Sequence, residues 1–296
     1  MNRYFDGASE LAFGKVRKCG EEDDVDEAWH IICSPNGNFF LLSHSVSYHD
    51  TIEYKIKIMT YPSAEVSMLH RADGSARYSA AGYTVVAAVN GPIEVGRRDE
   101  LPQHAALEVN VRPAVGVGSP KERHLESLIN STLRDIVLTH MHPRTMIQLT
   151  LQIIKTPEQE NTLPASFALS PLPALLNASL LAFISGSIPL ATTLTSTLLA
   201  VSPSGDLSIN PTPKILLQAS SAHVFAFSST GNLLLDLSEG EFDLDTWEKA
   251  HDKAKEECCK EQVSEDAMEE GKPSLQTFVE RVVEGRVEKE RAWKND

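Results

Sequence analysis

Basic residues in the first half of the chain are the side chains best suited to bind an anion. Arg97 and Arg98 are adjacent in a predicted loop, and Lys121 and Arg123 open a predicted helix. Arginine and lysine contact phosphate groups through their charge and their N–H donors. Two interpretations stay open, a salt-bridged surface or a modest track of phosphate contacts. Aromatic residues are not interleaved with these side chains, which argues against stacking of nucleobases.

Metal chemistry has weak support in the sequence. The chain contains four cysteines: Cys19, Cys33, Cys258 and Cys259. They form no Cys-x-x-Cys pair, whereas a structural zinc site needs four ligands at close spacing. His140 and His142 lie near a predicted helix end, where histidines interact with the helix dipole. We therefore expect free thiols in a reducing compartment, no metal and no cofactor.

Composition describes an acidic, folded protein. The chain has 296 residues, with 27 Lys and Arg against 41 Asp and Glu, and a formal net charge of −14. That charge argues against a generally basic coat for nucleic acid, although it allows a local basic patch. The apolar content of 42% and the charged content of 23% are ordinary for a folded protein. The length suits one large domain or two ordinary ones.

An uncharged stretch at residues 161–205 raises the question of a membrane span. Its most apolar part, residues 172–190, contains Asn177 and Ser179 and ends after Pro189. A spanning helix needs about 20 predominantly apolar residues. We expect no membrane insertion and interpret this segment as a helix buried in a protein core, which is apolar on all sides.

The order of predicted elements favours an α+β fold with helices packed on sheets. Ser119 is a predicted N-cap, with Pro120 at the first helical position. A turn is predicted at residues 90–92, because Asn-Gly-Pro is a turn signal. Predicted strands span residues 75–79, 83–90, 105–112, 144–155, 195–201, 206–209, 222–228 and 232–237. Predicted helices span residues 120–140, 172–190, 244–262 and 274–293.

The amino-terminal segment shows no clear pattern of secondary structure. It has an acidic cluster at residues 21–27 and an alternating strand pattern at 51–58. We predict that residues 1–62 are a poorly packed extension, with one edge strand at 51–58 as the opposing possibility. Residues 63–240 form the main predicted domain, and residues 241–296 are predicted to be acidic C-terminal helices.

Four motifs in order resemble the RNase PH family. They are HRADGS at 70–75, YTVVAAVNGPIE at 83–94, LTHMHPRT at 138–145, and LNASLLA at 176–182 followed by GSIP at 186–189. Each motif is weak alone, but four in order at plausible spacing are specific. The resemblance covers about residues 65–260. Within the family, the likeness is to ring subunits of the eukaryotic RNA exosome, in particular the component-five type.

This resemblance implies the βαβα fold of ribosomal protein S5 domain 2. It also implies a hetero-oligomeric ring of RNase PH-like paralogues with S1/KH-type cap subunits. The implied activity of that assembly is 3′-to-5′ RNA processing and degradation, including processing of rRNA. The implied locations are the nucleus, the nucleolus and the cytoplasm. Active relatives use arginines near Arg97–Arg98 and near Lys121 and Arg123 to guide RNA, but His124 replaces one neighbouring arginine here.

The phosphate-binding loop of active relatives matches residues 170–174 in this chain. Such a loop suits phosphate when helix N–H groups and an arginine converge on it. Here Pro171 and Pro173 have no N–H, and no Lys or Arg lies between Lys155 and Lys214. We expect an ordinary helix start rather than an anion site.

The catalytic carboxylates of active relatives are also unmatched. Residues 210–222, where they are expected, contain no Asp or Glu. Gln218, Ser220 and Ser221 stand there instead, and none is a base or a magnesium ligand alone at neutral pH. Asp206 belongs to a predicted turn. We therefore expect a non-catalytic structural subunit of the exosome ring that lines the RNA path. Two alternatives are an active phosphate-dependent 3′-to-5′ exoribonuclease and an interaction protein that uses its acidic helical tail without binding RNA.

Overall fold

The computed structural model divides the chain into two compact units, Met1–Ile58 and Met59–Asp296. The structure describes residues 30–33, 39–42, 62–98, 100–157, 169–259 and 274–294. In the first unit, strand β1 (His30–Cys33) pairs antiparallel with β2 (Phe39–Leu42). The strand predicted at 51–58 and the acidic cluster at 21–27 lie outside the described residues.

The second unit contains a five-stranded sheet in the order β3-β4-β5-β7-β6. Its strands are β3 (Ser63–Val66), β4 (Gly74–Ala80), β5 (Tyr83–Glu94), β6 (Ala106–Arg112) and β7 (Thr145–Lys155). Only the β6–β7 pair among them is parallel. Burial alternates along β5, β6 and β7, so one face of this sheet covers the core.

A four-stranded antiparallel sheet has the order β11-β10-β8-β9. Its strands are β8 (Leu194–Val201), β9 (Leu207–Ile209), β10 (Ser221–Ser228) and β11 (Leu233–Gly240). Every residue of β8 and β10 is buried, without alternation. Continuous burial requires that both faces of these central strands are covered.

Helices supply that cover. They are α1 (Pro120–Ile136), α2 (Leu172–Ser185), α3 (Pro213–Gln218), α4 (Leu244–Cys258) and α5 (Leu275–Arg291). The central helix α2 contacts β4 and β5 of one sheet and β8 of the other, which explains why its sequence is apolar on all sides. Helix α1 packs beside it on β6, α4 covers the opposite face of β8 and β10, and α5 contacts β3 and β8.

The predicted α+β class and most predicted elements are confirmed. Ser119 caps α1, and its side chain and that of Glu122 complete a capping box. The prediction that this helix runs to residue 140 is wrong. Val137 is extended and forms a bridge to Leu190, so the helix ends at Ile136 and a short 3₁₀ turn follows. Pairing with a neighbouring segment thus overrides the helical pattern.

The turn predicted at residues 90–92 is also wrong, because β5 continues through it to Glu94 with an irregular register. Gly91 has φ 137°, and its N–H donates to the Asp73 carboxylate at 2.8 Å. A Cβ atom on Gly91 would lie 2.7 Å from the carbonyl oxygen of Met146. Glycine is therefore needed at position 91 because the backbone of β7 lies close to it within the sheet, and not because the chain reverses there.

Helix α3 was not predicted, since its six residues are too short for a periodic pattern. Among the described residues, no helix is long and apolar enough to cross a membrane. The uncharged segment forms α2, which has 14 residues and ends at Ser185.

Candidate functional site

The first turn of α2 lies where the phosphate loop was expected, and it offers few donors. Pro171 and Pro173 carry no N–H, and the N–H of Leu172 donates to the carbonyl of Leu169 at 3.0 Å. The N-cap position, Pro171, makes no side-chain capping bond. The positive end of the helix is therefore present without the converging N–H groups that bind a phosphate dianion.

Leu275, the first residue of α5, lies close to this turn. Leu275 lines a cavity together with Ser170, Pro173 and Ala174, and the cavity volume is about 10 Å³. That volume is at the lower limit for one water molecule. A phosphate ion or a nucleotide does not fit there while α5 is in place.

The positions expected to carry carboxylates do not form a catalytic group. Gln218 is exposed at the end of α3. The hydroxyl of Ser220 donates to the carbonyl of Val201 at 3.1 Å. Asp206 is exposed in the β8–β9 turn, where its carboxylate accepts from the hydroxyl of Ser204 at 2.6 Å. This geometry agrees with a turn role for Asp206.

Ser221 belongs to a hydrogen-bond chain on the face of the second sheet that α4 covers. Its hydroxyl lies 3.0 Å from Nε2 of His223, and Nδ1 of His223 lies 2.8 Å from the hydroxyl of Ser238. The Ser238 hydroxyl donates to the carboxylate of Asp236 at 3.0 Å, and Nε1 of Trp247 donates to the same carboxylate at 3.2 Å.

The bonding fixes the protonation pattern of this chain. The only proton of the Ser238 hydroxyl is directed at Asp236, so Nδ1 of His223 must donate to Ser238. Nε2 then accepts from the Ser221 hydroxyl. Ser221 and His223 are both fully buried, so this pair is closed to a substrate. Sequence reasoning missed the chain, although the i, i+2 spacing of 221/223 and 236/238 places each pair on one face of a strand.

Burial shifts the ionisation of several groups in this region. It lowers the pKa of His223 below its ordinary 6.5, against the opposing charge of Asp236. Burial also raises the pKa of the Tyr78 phenol and of the Cys258 and Cys259 thiols above their ordinary values. These thiols are therefore protonated at neutral pH, which makes them poor nucleophiles. Within the described part of the chain, no group of three or more His, Cys, Asp or Glu residues could hold a metal ion.

Arg97 and Arg98 lie at one end of the first sheet. They are exposed in the loop that follows β5. That loop is held to the end of α1, because the N–H of Ala105 donates to the carbonyl of Thr139 at 2.8 Å. The N–H of Arg144 donates to the carbonyl of Leu101 at 3.1 Å, which brings Arg144 to the same end.

Lys121 and Arg123 lie at the opposite end of that sheet. Strand β6 runs from Ala106, beside the first loop, to Arg112, beside the start of α1. Its seven residues separate the two basic pairs by roughly 20 Å of strand. The structure therefore does not gather the four predicted residues into one patch. The pair formed by Lys121 and Arg123 shares its end of the sheet with the first turn of α2.

Acidic residues near Lys121 and Arg123 are bound to the backbone. The carboxylate of Glu122 accepts from the N–H of Ser119 at 2.7 Å, and that of Glu126 accepts from the N–H of Val111 at 2.8 Å. Arg123 itself is exposed. Arg123 therefore stays at the surface of this end of the sheet, whereas Lys121 is half-buried and its charge acts on the Glu122 carboxylate.

Comparison with known proteins decides the family. The 3′ exoribonuclease family, domain 1, matches residues 62–189. The exosome complex component RRP46 of Saccharomyces cerevisiae is 35% identical over 189 residues, which cover 62% of this chain and 83% of that protein. The chain belongs to the RNase PH family. A second relative, exosome complex component rrp46 of Schizosaccharomyces pombe, is 35% identical over 42% of this chain and 51% of its own length.

Two solved structures share the fold of this chain. The crystal structure of rice (Oryza sativa) Rrp46 has a TM-score of 0.58 and 25% identity, and the match covers 66% of this chain and 87% of that one. A chain of the Archaeoglobus fulgidus exosome with RNA bound to the active site has a TM-score of 0.54 at 13% identity, over 66% of this chain and 84% of that one. The second likeness concerns the fold alone.

Proposed function

We propose that this chain is a structural subunit of an RNA exosome ring and supports 3′-to-5′ RNA processing and degradation, including that of rRNA. The likeness to exosome complex component RRP46 of S. cerevisiae, which extends over 83% of that protein, supports this proposal. In this function the partners are other RNase PH-like ring subunits and S1/KH-type cap subunits. The proposed locations are the nucleus, the nucleolus and the cytoplasm.

The subunit does not catalyse phosphorolysis itself. The observation that carries this conclusion is the first turn of α2, where two prolines remove N–H donors and the space lined by Leu275 of α5 is only about 10 Å³. Phosphorolysis needs a bound phosphate and a group that assists the leaving 3′ oxygen. At the expected carboxylate positions, Ser220 and Ser221 are hydrogen-bonded within the protein and Gln218 is exposed.

RNA contact is proposed at two separate places. Lys121 and Arg123 lie beside the start of α1, and Arg97 and Arg98 lie at the other end of β6. The net charge of −14 makes these local groups, rather than the whole surface, the source of any attraction to phosphates. A strand of RNA that passes along the subunit meets the two pairs in succession.

An active exoribonuclease is the second candidate. A protein of Oryza sativa called exosome complex exonuclease RRP46 homolog is 34% identical over 41% of this chain and 47% of its own length. That name favours catalysis, whereas the small space at the first turn of α2 opposes it.

An assay of the assembled complex separates the two candidates. The complex is incubated with RNA, inorganic phosphate and magnesium, and release of nucleoside diphosphates is measured. We expect Asp206→Ala and Ser221→Ala in this chain to leave the rate within about twofold of the unchanged complex, because neither residue stabilises a transition state. A loss of 100-fold or more caused by Asp206→Ala, in a complex that still assembles, supports the exoribonuclease and overturns the structural role.

A further inference from the structure

The strand orders place β3, β6, β9 and β11 at the outer edges of the two sheets of the second unit, and three of these edges are short or covered. The N–H of Val111 in β6 donates to the carboxylate of Glu126 on α1 at 2.8 Å. Nζ of Lys253 on α4 donates to the carbonyl of Leu207 in β9 at 3.2 Å, and β9 has only three residues. Strand β3 has four residues and contacts α5. Such features keep an edge from pairing with other chains.

The edge formed by β11 is longer and open. The strand has eight residues, pairs with β10 alone and keeps a regular register from residue 235 onward. The N–H of Glu241 donates to the carbonyl of Ser220 at 3.2 Å, and residues that bond to the neighbouring strand alternate with residues that do not. The backbone groups of Asp236 and Ser238 therefore point away from β10. Among the described residues, none is hydrogen-bonded to these outward groups.

Side chains on the core face of β11 form an apolar row that ends in a carboxylate. Leu235 and Leu237 are half-buried and pack against the main core. Glu239 follows on the same face, because side chains two positions apart share a face of a strand. Burial raises the pKa of the Glu239 carboxyl above its ordinary value. Within the described part of the chain, no basic side chain pairs with it.

The opposite face of β11 is already occupied. Asp236 and Ser238 have their side chains there, in the hydrogen-bond chain that includes His223 and Trp247. The core face therefore differs from it, since its row ends in a carboxylate that has no partner of opposite charge among the described residues. A basic side chain supplied by another segment would complement that charge.

We propose that β11 binds an extended segment of a partner protein, which adds a strand to the second sheet. This segment places apolar side chains beside Leu235 and Leu237, and a Lys or Arg beside Glu239. Hydrogen bonds to the outward backbone groups of β11 supply affinity for any extended chain, whereas the row of side chains selects the partner. The inference does not rest on the ring function, because any protein with such a segment fits this edge.

Hydrogen exchange at single-residue resolution tests the proposal, in the complex isolated through a tag on this chain and in the free full-length chain. The amides of Asp236 and Ser238 face outward, and those of Leu237 and Glu239 bond to β10 and are the internal control. We expect the outward amides to be protected at least about 100-fold better in the complex, and the control amides to be protected in both samples. Outward amides that exchange equally fast in both samples overturn the proposal. Outward amides that are already protected in the free chain also overturn it, because a segment of the chain itself then occupies the edge.

Glu239→Lys tests the chemistry of the partner segment. This change sets a like charge beside the proposed Lys or Arg, so we expect protection of the outward amides in the complex to fall by about tenfold or more, with the amide of Leu237 unaffected. Glu256→Lys, at an exposed position of α4, is the matched control and should leave the protection unchanged. Equal falls in the two variants, or no fall with Glu239→Lys, overturn the proposal. This comparison uses the complex alone, so it gives a result even where the free chain is insoluble.

Discussion

The side-chain amide of Asn177 pairs with both backbone groups of Ser196. Its Nδ2 donates to the carbonyl of Ser196 at 2.9 Å, and its Oδ1 accepts from the N–H of Ser196 at 3.0 Å. Strand β9 is short and pairs only with residues 199–201 of β8. Asn177 on the central helix therefore provides the N–H and carbonyl of Ser196 with the hydrogen-bond partners that a longer β9 would have supplied. The same amide also donates to the hydroxyl of Tyr78 on the first sheet.

Asn177→Ala removes this bridge between the central helix and both sheets. We expect the free energy of unfolding to fall by about 3 kcal/mol, since two buried backbone groups lose their partner. Urea unfolding measures the loss. Asn130→Ala is the matched control, because the Asn130 amide makes one long bond, 3.4 Å to the carbonyl of Leu107, and we expect a loss under about 1 kcal/mol. Equal losses for the two variants would contradict the bridging role.

Gly74→Ala tests the contact between β4 and the end of α2. A Cβ atom on Gly74 would lie 2.4 Å from both the carbonyl oxygen of Ala182 and the nitrogen of Gly186. Backbone atoms cannot move aside easily, so we expect a loss of more than about 3 kcal/mol, or insoluble protein. Gly285→Ala on α5 meets no atom within 4 Å, and it should stabilise the helix by up to about 1 kcal/mol. Soluble Gly74→Ala protein with an unchanged unfolding midpoint is the opposing result.

The buried histidine predicts a dependence of stability on pH. Burial lowers the pKa of His223 in the folded protein below its ordinary 6.5, so the unfolded chain binds more protons in the window between the two values. Stability is therefore full above about pH 6.5 and declines as the pH falls below it. Urea midpoints between pH 7.5 and 5.5 measure this decline. His223→Gln should reduce its slope, and an identical slope in both proteins would show that other groups cause it.

Two basic pairs at opposite ends of β6 should contribute separately to RNA binding. The logarithm of the affinity falls as the logarithm of the salt concentration rises, and each lost phosphate contact makes this slope less steep by about 1. We therefore expect Lys121→Ala with Arg123→Ala to make the slope less steep by about 2. Arg97→Ala with Arg98→Ala should act equally, and the two effects should add. Binding of single-stranded RNA to the assembled complex across a salt series is the measurement. Arg286→Ala with Arg291→Ala on α5 is the control, and a slope that changes only with this control contradicts the proposed contacts.

Local sequence signals predicted most of the fold. Ser119 and Pro120 marked the start of α1 because capping is determined by neighbouring residues. The uncharged segment identified α2 as a buried helix, since both sheets cover it. The end of α1 at Ile136 depends instead on a bridge between Val137 and Leu190, which are distant in sequence. Such contacts leave no local pattern.

The sequence was enough to predict which phosphate-binding groups are missing from the candidate site, but not how its residues are arranged. Proline at 171 and 173 is enough to show that N–H donors are missing. The proximity of Leu275 to this turn was not foreseeable, because more than 100 residues separate it from Pro173 in the chain. The separation of Arg97 from Arg123 follows from the direction of β6, which a single sequence does not reveal. Pairing of strands determines which distant side chains meet.

The most direct test of the account is an inventory of the complex that contains this chain. The tagged chain is isolated from the cells that express it, and native mass spectrometry measures the mass and composition of the assembly. We predict one copy of this chain in a ring with different RNase PH-like paralogues and with S1/KH-type cap subunits. Recovery as a homo-oligomer, or in an assembly without any RNase PH-like paralogue, would contradict the structural role proposed for it.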